Sequence, residues 1–374
     1  MTRGTSHTTG GGRFALALAG ILVVALVVTA SVFGHAAATP IEQAQAELAT
    51  AKPPATIFAQ TKSTKPLPTG PKYHLSYIHC GQPGCTDVSN GLAAAIKGMK
   101  LGWTYTVIPT DGSPQQVQNG WKTALRNGST AIMGTGFPVS YFAQQLKEAR
   151  SRHIPVFNGY VLDKPQPGFY PFGGASDVVT IGNQMAAWVT VKSQAKANVL
   201  FVDLPAFPIL APVHSSFMKW YPKYCPGCPV DTLTLALTDL GKDAPAKIVS
   251  YLRSHPNVNY LAYVYDGVGI GVPAALRLAG LANKVKIIGE SPSAQNIADV
   301  AAGRQEMTVA QGYYESMAAA VNQMARAFTG QKVNLSEMKL AYWAYSKASP
   351  PSWRGSGQPA VKNLYGQFLS LWPK

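Results

Sequence analysis

The 374-residue sequence lacks the motifs on which hydrolytic and phosphoryl-transfer chemistry depends. It has no Gly-x-Ser-x-Gly turn to expose a nucleophilic serine, no His-Glu-x-x-His helix, and no Gly-rich loop ending in Lys-Ser or Lys-Thr. The seven histidines, among them His79, His153, His214 and His255, are scattered, and although His79 adjoins Cys80 no cluster of His or Cys accompanies either cysteine pair, so neither forms a four-ligand zinc set. The reading is of a non-enzyme with no cofactor and no metal. Acidic residues are also scarce, 17 against 32 Lys and Arg. The net charge of +15 suits a solvated basic surface, anionic wall polymers or lipid headgroups, and it would steer anionic ligands. Only four cysteines occur, Cys80, Cys85, Cys225 and Cys228, an even set in two local pairs. In an oxidising compartment that pattern favours the disulfides Cys80–Cys85 and Cys225–Cys228.

That compartment is implied by the start of the chain. Residues 1 to 13 are polar and end in Arg13, and "FALALAGILVVALVVTASVFG" follows as an apolar run of about twenty residues. This is an export signal, with Ala36 and Ala38 offering a cleavage site and with length enough to remain as a membrane anchor. Residues 1–38 are thus a signal peptide or anchor, and the rest lies outside the cytoplasm, in the cell envelope, where nucleic acid is not a partner. Residues 39–72, rich in Ala, Thr, Pro and Lys, read as a linker with one short helix at 41–51.

From residue 74 short β-branched runs alternate with stretches of helical spacing, the pattern of parallel strands joined by crossover helices. Strands are expected at 74–79, 103–108, 130–134 and 154–158, with helices at 87–101, 114–127 and 139–151. A proline-rich loop at 159–172 interrupts the alternation. It resumes with strands at 197–203, 230–236, 258–264, 285–289 and 307–311 and helices at 178–192, 210–221, 243–254, 267–280, 293–302 and 312–329. The fold class is therefore α/β, in two lobes, and the aromatic, proline-rich tail from 340 is outside the repeat. In open parallel sheets ligands bind beyond the carboxyl ends of the strands, so the residues after each strand are the ones to inspect. After the first strand, Cys80 and Cys85 bracket "GQPG", a turn tight enough for the sulfurs to meet and to fix the loop at a cleft mouth. The pair in "YCPGCP" ends a helix instead of opening one, which favours a staple over a redox dithiol.

The order of several motifs resembles the type I periplasmic binding proteins, in particular the ribose- and xylose-binding branch that serves ABC transporters. The motifs are Asp111 with Gln115 or Gln116 entering a helix, "IPV" at 154–156, "ASD" at 175–177, "YD" at 265–266, "IIGES" at 287–291 and "TVAQ" at 308–311. Repressors of the LacI type share this core but begin with a DNA-binding helix pair, which is missing here. The resemblance implies two Rossmann-like lobes, parallel sheets flanked by helices, joined by a three-crossing hinge and closing over a small solute. Lobe one would be 73–176 with 312–335, lobe two 177–311, and 336–374 the third crossing and a C-terminal extension. It implies a permease of an ABC importer as partner. Gln311 and Asp266 match the family's site. Tyr160 stands where the family has a carboxylate, Tyr265 precedes Asp266 in place of Asn, and Ser291 replaces an acid with Glu290 beside it. Candidate ligand contacts are therefore Gln82, Cys85, Phe137, Tyr160, Phe207, Tyr265, Asp266, Glu290, Ser291 and Gln311. Loss of the family's arginine and carboxylates leaves vicinal hydroxyls poorly satisfied, so the cleft points from a sugar toward an aromatic, partly apolar or cationic solute. Two other functions fit the same residues less directly, a ligand sensor for a membrane kinase or chemoreceptor, and an envelope thiol-disulfide oxidoreductase using Cys225 and Cys228.

Overall fold

The structure is a computed structural model that describes residues 38–373. The expected leader, apart from Ala38, lies outside the described residues. No helix among those described is long and apolar enough to cross a membrane.

The described chain opens with α1 (Pro40–Thr50), which starts where the sequence supplies a cap: Thr39 Oγ1 accepts from Glu42 N, and Glu42 Oε2 accepts from Thr39 N at 2.7 Å. Next come β1 (His74–Ile78), α2 (Pro83–Gly98), β2 (Thr104–Ile108), α3 (Pro114–Arg126), β3 (Ala131–Thr135), α4 (Ala143–Ser151), β4 (Val156–Gly159) and β5 (Phe169–Phe172). These five strands form one parallel sheet in the order β2-β1-β3-β4-β5. The second series is α5 (Ala175–Ser193), β6 (Val199–Asp203), α6 (Ala211–Tyr224), β7 (Val230–Thr234), α7 (Ala244–Ser254), β8 (Tyr260–Tyr263), α8 (Val272–Leu278), β9 (Lys286–Glu290), α9 (Ala294–Ala301) and β10 (Met307–Gln311). After β10 the chain forms α10 (Tyr313–Phe328), which packs on α2 in the first lobe. It then returns as β11 (Tyr342–Ser346), antiparallel to β10, and ends with α11 (Leu364–Leu369) on α10 and α2. The second sheet runs β11-β10-β9-β8-β6-β7.

Strands such as β3 and β8 are buried along their whole length, as expected of parallel strands covered on both faces. In each sheet an early strand has its sequential neighbours on opposite sides, β1 between β2 and β3, and β6 between β7 and β8. Chain connections leave such a strand in opposite directions, and a crevice opens beyond its carboxyl end. The loops after β1 and β6 are therefore placed to face a ligand.

Two segments depart from the sequence reading. Residues 39–72, expected to be a free tether, are packed. α1 lies on α5 and α6, Ala51 O accepts from Ala344 N at 3.3 Å, and Gln60 Nε2 donates to Glu337 O at 2.6 Å. Ser63 N donates to Leu371 O at 2.7 Å and Pro68 O accepts from Trp103 Nε1 at 2.8 Å. The arm thus runs from the second lobe across the hinge strand to the first. The tail supplies β11, whose Trp343 is fully buried and donates from Nε1 to Trp353 O at 2.6 Å.

Candidate functional site

The loop leaving β1 is held at several points. Gly81, at φ +77, approaches the neighbouring loop so closely that a Cβ there would lie 2.8 Å from Thr110 O. Cys80 and Cys85 are buried, their Cα atoms are 5.8 Å apart and their sulfurs are within bonding range. Tyr77 Oη donates to Cys85 O at 3.3 Å and pairs with Thr135 Oγ1 at 2.8 Å, which ties the first turn of α2 to the end of β3. The second pair, Cys225 and Cys228, is also in bonding range, with Cα atoms 5.4 Å apart, at the carboxyl end of α6. That end of a helix carries the negative pole and does not stabilise a thiolate.

Between the lobes lies a cavity of about 90 Å³. The first lobe lines it with Cys80, Gln82, Gly84, Cys85, Val88, Thr135, Gly136, Tyr160 and Tyr313. The second lobe lines it with Val178 and Ile181 from the start of α5, with Phe207, Ile209, Leu210 and Val213 around the start of α6, and with Tyr265, Glu290, Ser291 and Gln311 at strand ends. The lobes touch: Gly84 N donates to Tyr265 Oη at 3.4 Å, and the rings of Phe137 and Phe207 are 5.6 Å apart. Tyr160 and Ser291, which directly follow β4 and β9, sit at φ +59 and +55. Neither is glycine, so each left-handed turn costs on the order of 1 kcal/mol and is held by its surroundings.

Among the described residues Glu290 is the one Asp or Glu in the lining, and no Lys, Arg or His joins it. Its Oε2 accepts from Gln311 Nε2 at 3.3 Å and from the Ser291 hydroxyl, and Gln311 Nε2 also donates to Ser291 Oγ. Burial pushes the Glu290 carboxyl up to about 8, with the nearby Asp266 adding to the rise. Burial also raises the phenols of Tyr160, Tyr265 and Tyr313, and Glu290 raises each further. Asp87 acts in the same direction on Tyr265 and Tyr313, and Asp177 on Tyr160.

Of the residues expected from sequence to contact a ligand, Gln82, Cys85, Tyr160, Phe207, Tyr265, Glu290, Ser291 and Gln311 are brought together around this cavity. Asp266 and Phe137 are not. Asp266 is fully buried below it, where Gln305 Nε2 donates to Oδ1 at 2.8 Å and Thr308 Oγ1 to Oδ2 at 2.6 Å. Both carboxyl oxygens are thus engaged in joining β8's end to β10. Phe137 backs Phe207 and stacks on Tyr141 at 5.8 Å. The aliphatic wall of Val178, Ile181, Ile209, Leu210 and Val213 was missed, because at the amino ends of α5 and α6 the apolar spacing of a cleft wall is the same as that of a core face.

Gly84 offers a direct check on the cavity. A Cβ there would stand 3.3 Å from Tyr313 Oη and 3.6 Å from Tyr265 Oη, in ordinary helical backbone. Gly84→Ala is expected to fold, to take up part of the cavity and to weaken solute binding by about tenfold, the effect of roughly 1.4 kcal/mol of lost contact. Calorimetric titration with any bound solute checks this; unchanged affinity would place the solute elsewhere.

Comparison with known proteins places these features in context. Residues 76–332 match the family model described as periplasmic binding protein domain. No curated protein matches the sequence. Among solved structures, a sugar ABC transporter protein from Yersinia enterocolitica superposes with a TM-score of 0.65 at 16% identity, covering 83% of this chain and 99% of that one. The Caulobacter myo-inositol binding protein, bound to myo-inositol, gives 0.63 at 17% identity over 75% of this chain and 95% of its own. The 5-methylthioribose transporter solute binding protein of Thermotoga lettingae, in complex with that compound, gives 0.63 at 16% identity over 73% and 86%. At such identities the likeness is one of fold.

Proposed function

The chain belongs to the periplasmic binding protein domain family, whose members are non-enzymatic solute-binding components of transport, and we propose that it holds a small solute between its lobes and delivers it to the permease of an ABC importer. The observation that carries this reading is the interlobe cavity, walled from both sheets; the chain passes between the lobes at Gly173–Gly174, at Gly312 and between α10 and β11, and these passages are read as the hinge. A solute bound there contacts both lobes only when they are closed, so its binding free energy favours the closed form, which is the form a permease would select. The export signal read from residues 1–38 puts this receptor on the outer face of the cytoplasmic membrane, anchored or released. The two local cysteine pairs suit that compartment as disulfides.

The test is small-angle scattering of the compact unit of residues 38–374 with and without solutes, beside thermal unfolding. A bound solute is expected to reduce the radius of gyration and, at about a hundredfold excess over Kd, to stabilise the fold by about 2.7 kcal/mol. Scattering and melting that no class of small solute alters would overturn the reading.

A further inference from the structure

The polar atoms of the cavity are unevenly used. Thr135 is engaged by Tyr77, Ser291 and Gln311 are bonded to Glu290, and Tyr265 Oη receives Gly84 N. The donors left over are the phenol protons of Tyr265 and Tyr313 and the Gln82 amide, and the acceptors left over gather around Glu290. Among the described residues no hydrogen bond reaches Glu290 Oε1, and Gln311 Oε1 is buried without a partner. Tyr160 Oη, near the Ser316 side chain, makes no well-formed hydrogen bond. An anion needs donors, and the Glu290 carboxyl would face it with like charge or a lone pair. A primary ammonium has three donors and no acceptor, and Glu290 Oε1, Gln311 Oε1 and Tyr160 Oη can each accept one of them.

Charge and shape point the same way. In a chain of net charge +15 the cavity lining holds no basic side chain, and the carboxyls at and around it are Glu290, Asp266, Asp87 and Asp177. Four aromatic rings, Tyr160, Phe207, Tyr265 and Tyr313, add π faces that attract a cation within about 6 Å. The remaining wall is aliphatic and suits an apolar body.

Deepening the transport reading on which it rests, we infer that the solute is a small organic ammonium ion, its –NH₃⁺ at Glu290, Gln311 and Tyr160 and its hydrocarbon part against the aliphatic wall of α5 and α6. Burial raises the Glu290 carboxyl, so any proton it holds in the empty cavity leaves for solvent when the ammonium docks, and a carboxylate–ammonium pair remains. The other titratable groups facing Glu290 are Asp266, Tyr160, Tyr265, Tyr313 and Tyr342; none can supply a competing cation.

The experiment is isothermal titration of the wild-type unit and of Glu290→Gln with n-butylammonium and benzylammonium, with the alcohol and the carboxylate of each carbon skeleton, and with a set of pentoses and hexoses. Scattering follows lobe closure for each. The expected result is binding of an ammonium at least about tenfold tighter than its alcohol, a ratio that falls toward one in Glu290→Gln. The wild-type comparison of ammonium with alcohol decides the matter even if the variant fails to fold. The inference is overturned if alcohol and ammonium bind alike, if the carboxylate binds best, or if the variant keeps the preference. Closure around a pentose or hexose alone would remove the ammonium assignment and leave the transport reading standing. Failure of all four classes to bind or close the lobes would remove both.

Discussion

The unfolding free energy of the ligand-free protein is expected to fall by several kcal/mol as pH rises from about 5 to about 9. Two buried carboxyls dominate this window. Glu290 is raised from 4.5 to about 8 and Asp266 from 3.8 to about 7, in both cases chiefly by burial. Between its ordinary and its raised pKa each group keeps a proton in the folded state that the unfolded chain has already released. The folded state then binds more protons, and stability declines with rising pH at up to about 1.4 kcal/mol per pH unit for each group. Above about pH 9 both are ionised in both states and the decline ends. Asp87, Asp163, Asp177, Glu47 and Glu315 are raised by burial and act with the same sign. His79 opposes them, because burial lowers its pKa and its neutral form is favoured in the fold, so its share of stability is gained as pH rises toward 6.5. Asp239 and Asp111, lowered by hydrogen bonds, lose their contribution only as pH falls below their ordinary value of 3.8, outside the window. Urea unfolding at a series of pH values checks the prediction, and Glu290→Gln should flatten the decline by removing one of the two protons. Stability that is level or rising between about pH 5 and 8 would show that these carboxyls are ionised at ordinary values and that the cavity is wetter than its packing indicates.

How much of the fold and the site was legible depends on the kind of signal each element leaves. Strands such as β6, "VLFVD", and β9, "KIIGE", are short apolar runs between helical stretches, and parallel burial makes such runs visible. A short helix was expected at 41–51, and the cap that starts α1 at Pro40, Thr39 with Glu42 three residues on, is a signal that reading did not use. The path of the chain beyond α1 was not, because residues 57–72 are held by polar pairs that have no periodicity. Thr61 N donates to Glu337 Oε1 at 3.1 Å, and Gln60 Oε1 accepts from Asn322 Nδ2 at 3.1 Å. A Pro- and Thr-rich composition suggests a tether whether or not such partners exist elsewhere in the chain. Within the site, motif order named Glu290, Ser291 and Gln311, which line one cavity. It misplaced Asp266, since a sequence match does not show that Gln305 and Thr308 already take both of its oxygens. The Cys80–Cys85 loop was legible as a tight turn, whereas its attachment through Tyr77 and Thr135 needed two strands, β1 and β3, and the start of α2 to be seen at once.

The helix pair behind the aliphatic wall supplies the second large effect. Gly182→Ala is expected to destabilise the protein by about 3 kcal/mol or more, at or beyond the upper end of what overpacking costs. Gly182 lies on α5 where a Cβ would stand 2.3 Å from Val213 O, 2.6 Å from Phe217 N and 2.8 Å from Ser216 Cβ, all on α6. Two of these are main-chain atoms, which cannot turn aside as a side chain can, so α6 itself has to move. The same close approach lets Ser216 Oγ donate to Val179 O across the helix pair at 2.5 Å, and displacement would break that bond. Against this stands the better helix propensity of alanine, at most about 1 kcal/mol, so packing decides the sign. Gly174→Ala is the control: its Cβ would meet nothing nearer than Val161 O at 3.6 Å, and a change within about 1 kcal/mol is expected. Because Val213 on α6 and Val178 and Ile181 on α5 line the cavity, whatever stable fraction of Gly182→Ala remains should also bind its solute more weakly. Denaturant midpoints for the two variants, compared at constant m-value, test the claim. A Gly182→Ala protein as stable as wild type would mean that α5 and α6 are farther apart than their packing requires, and that the aliphatic side of the cleft is not fixed by this contact.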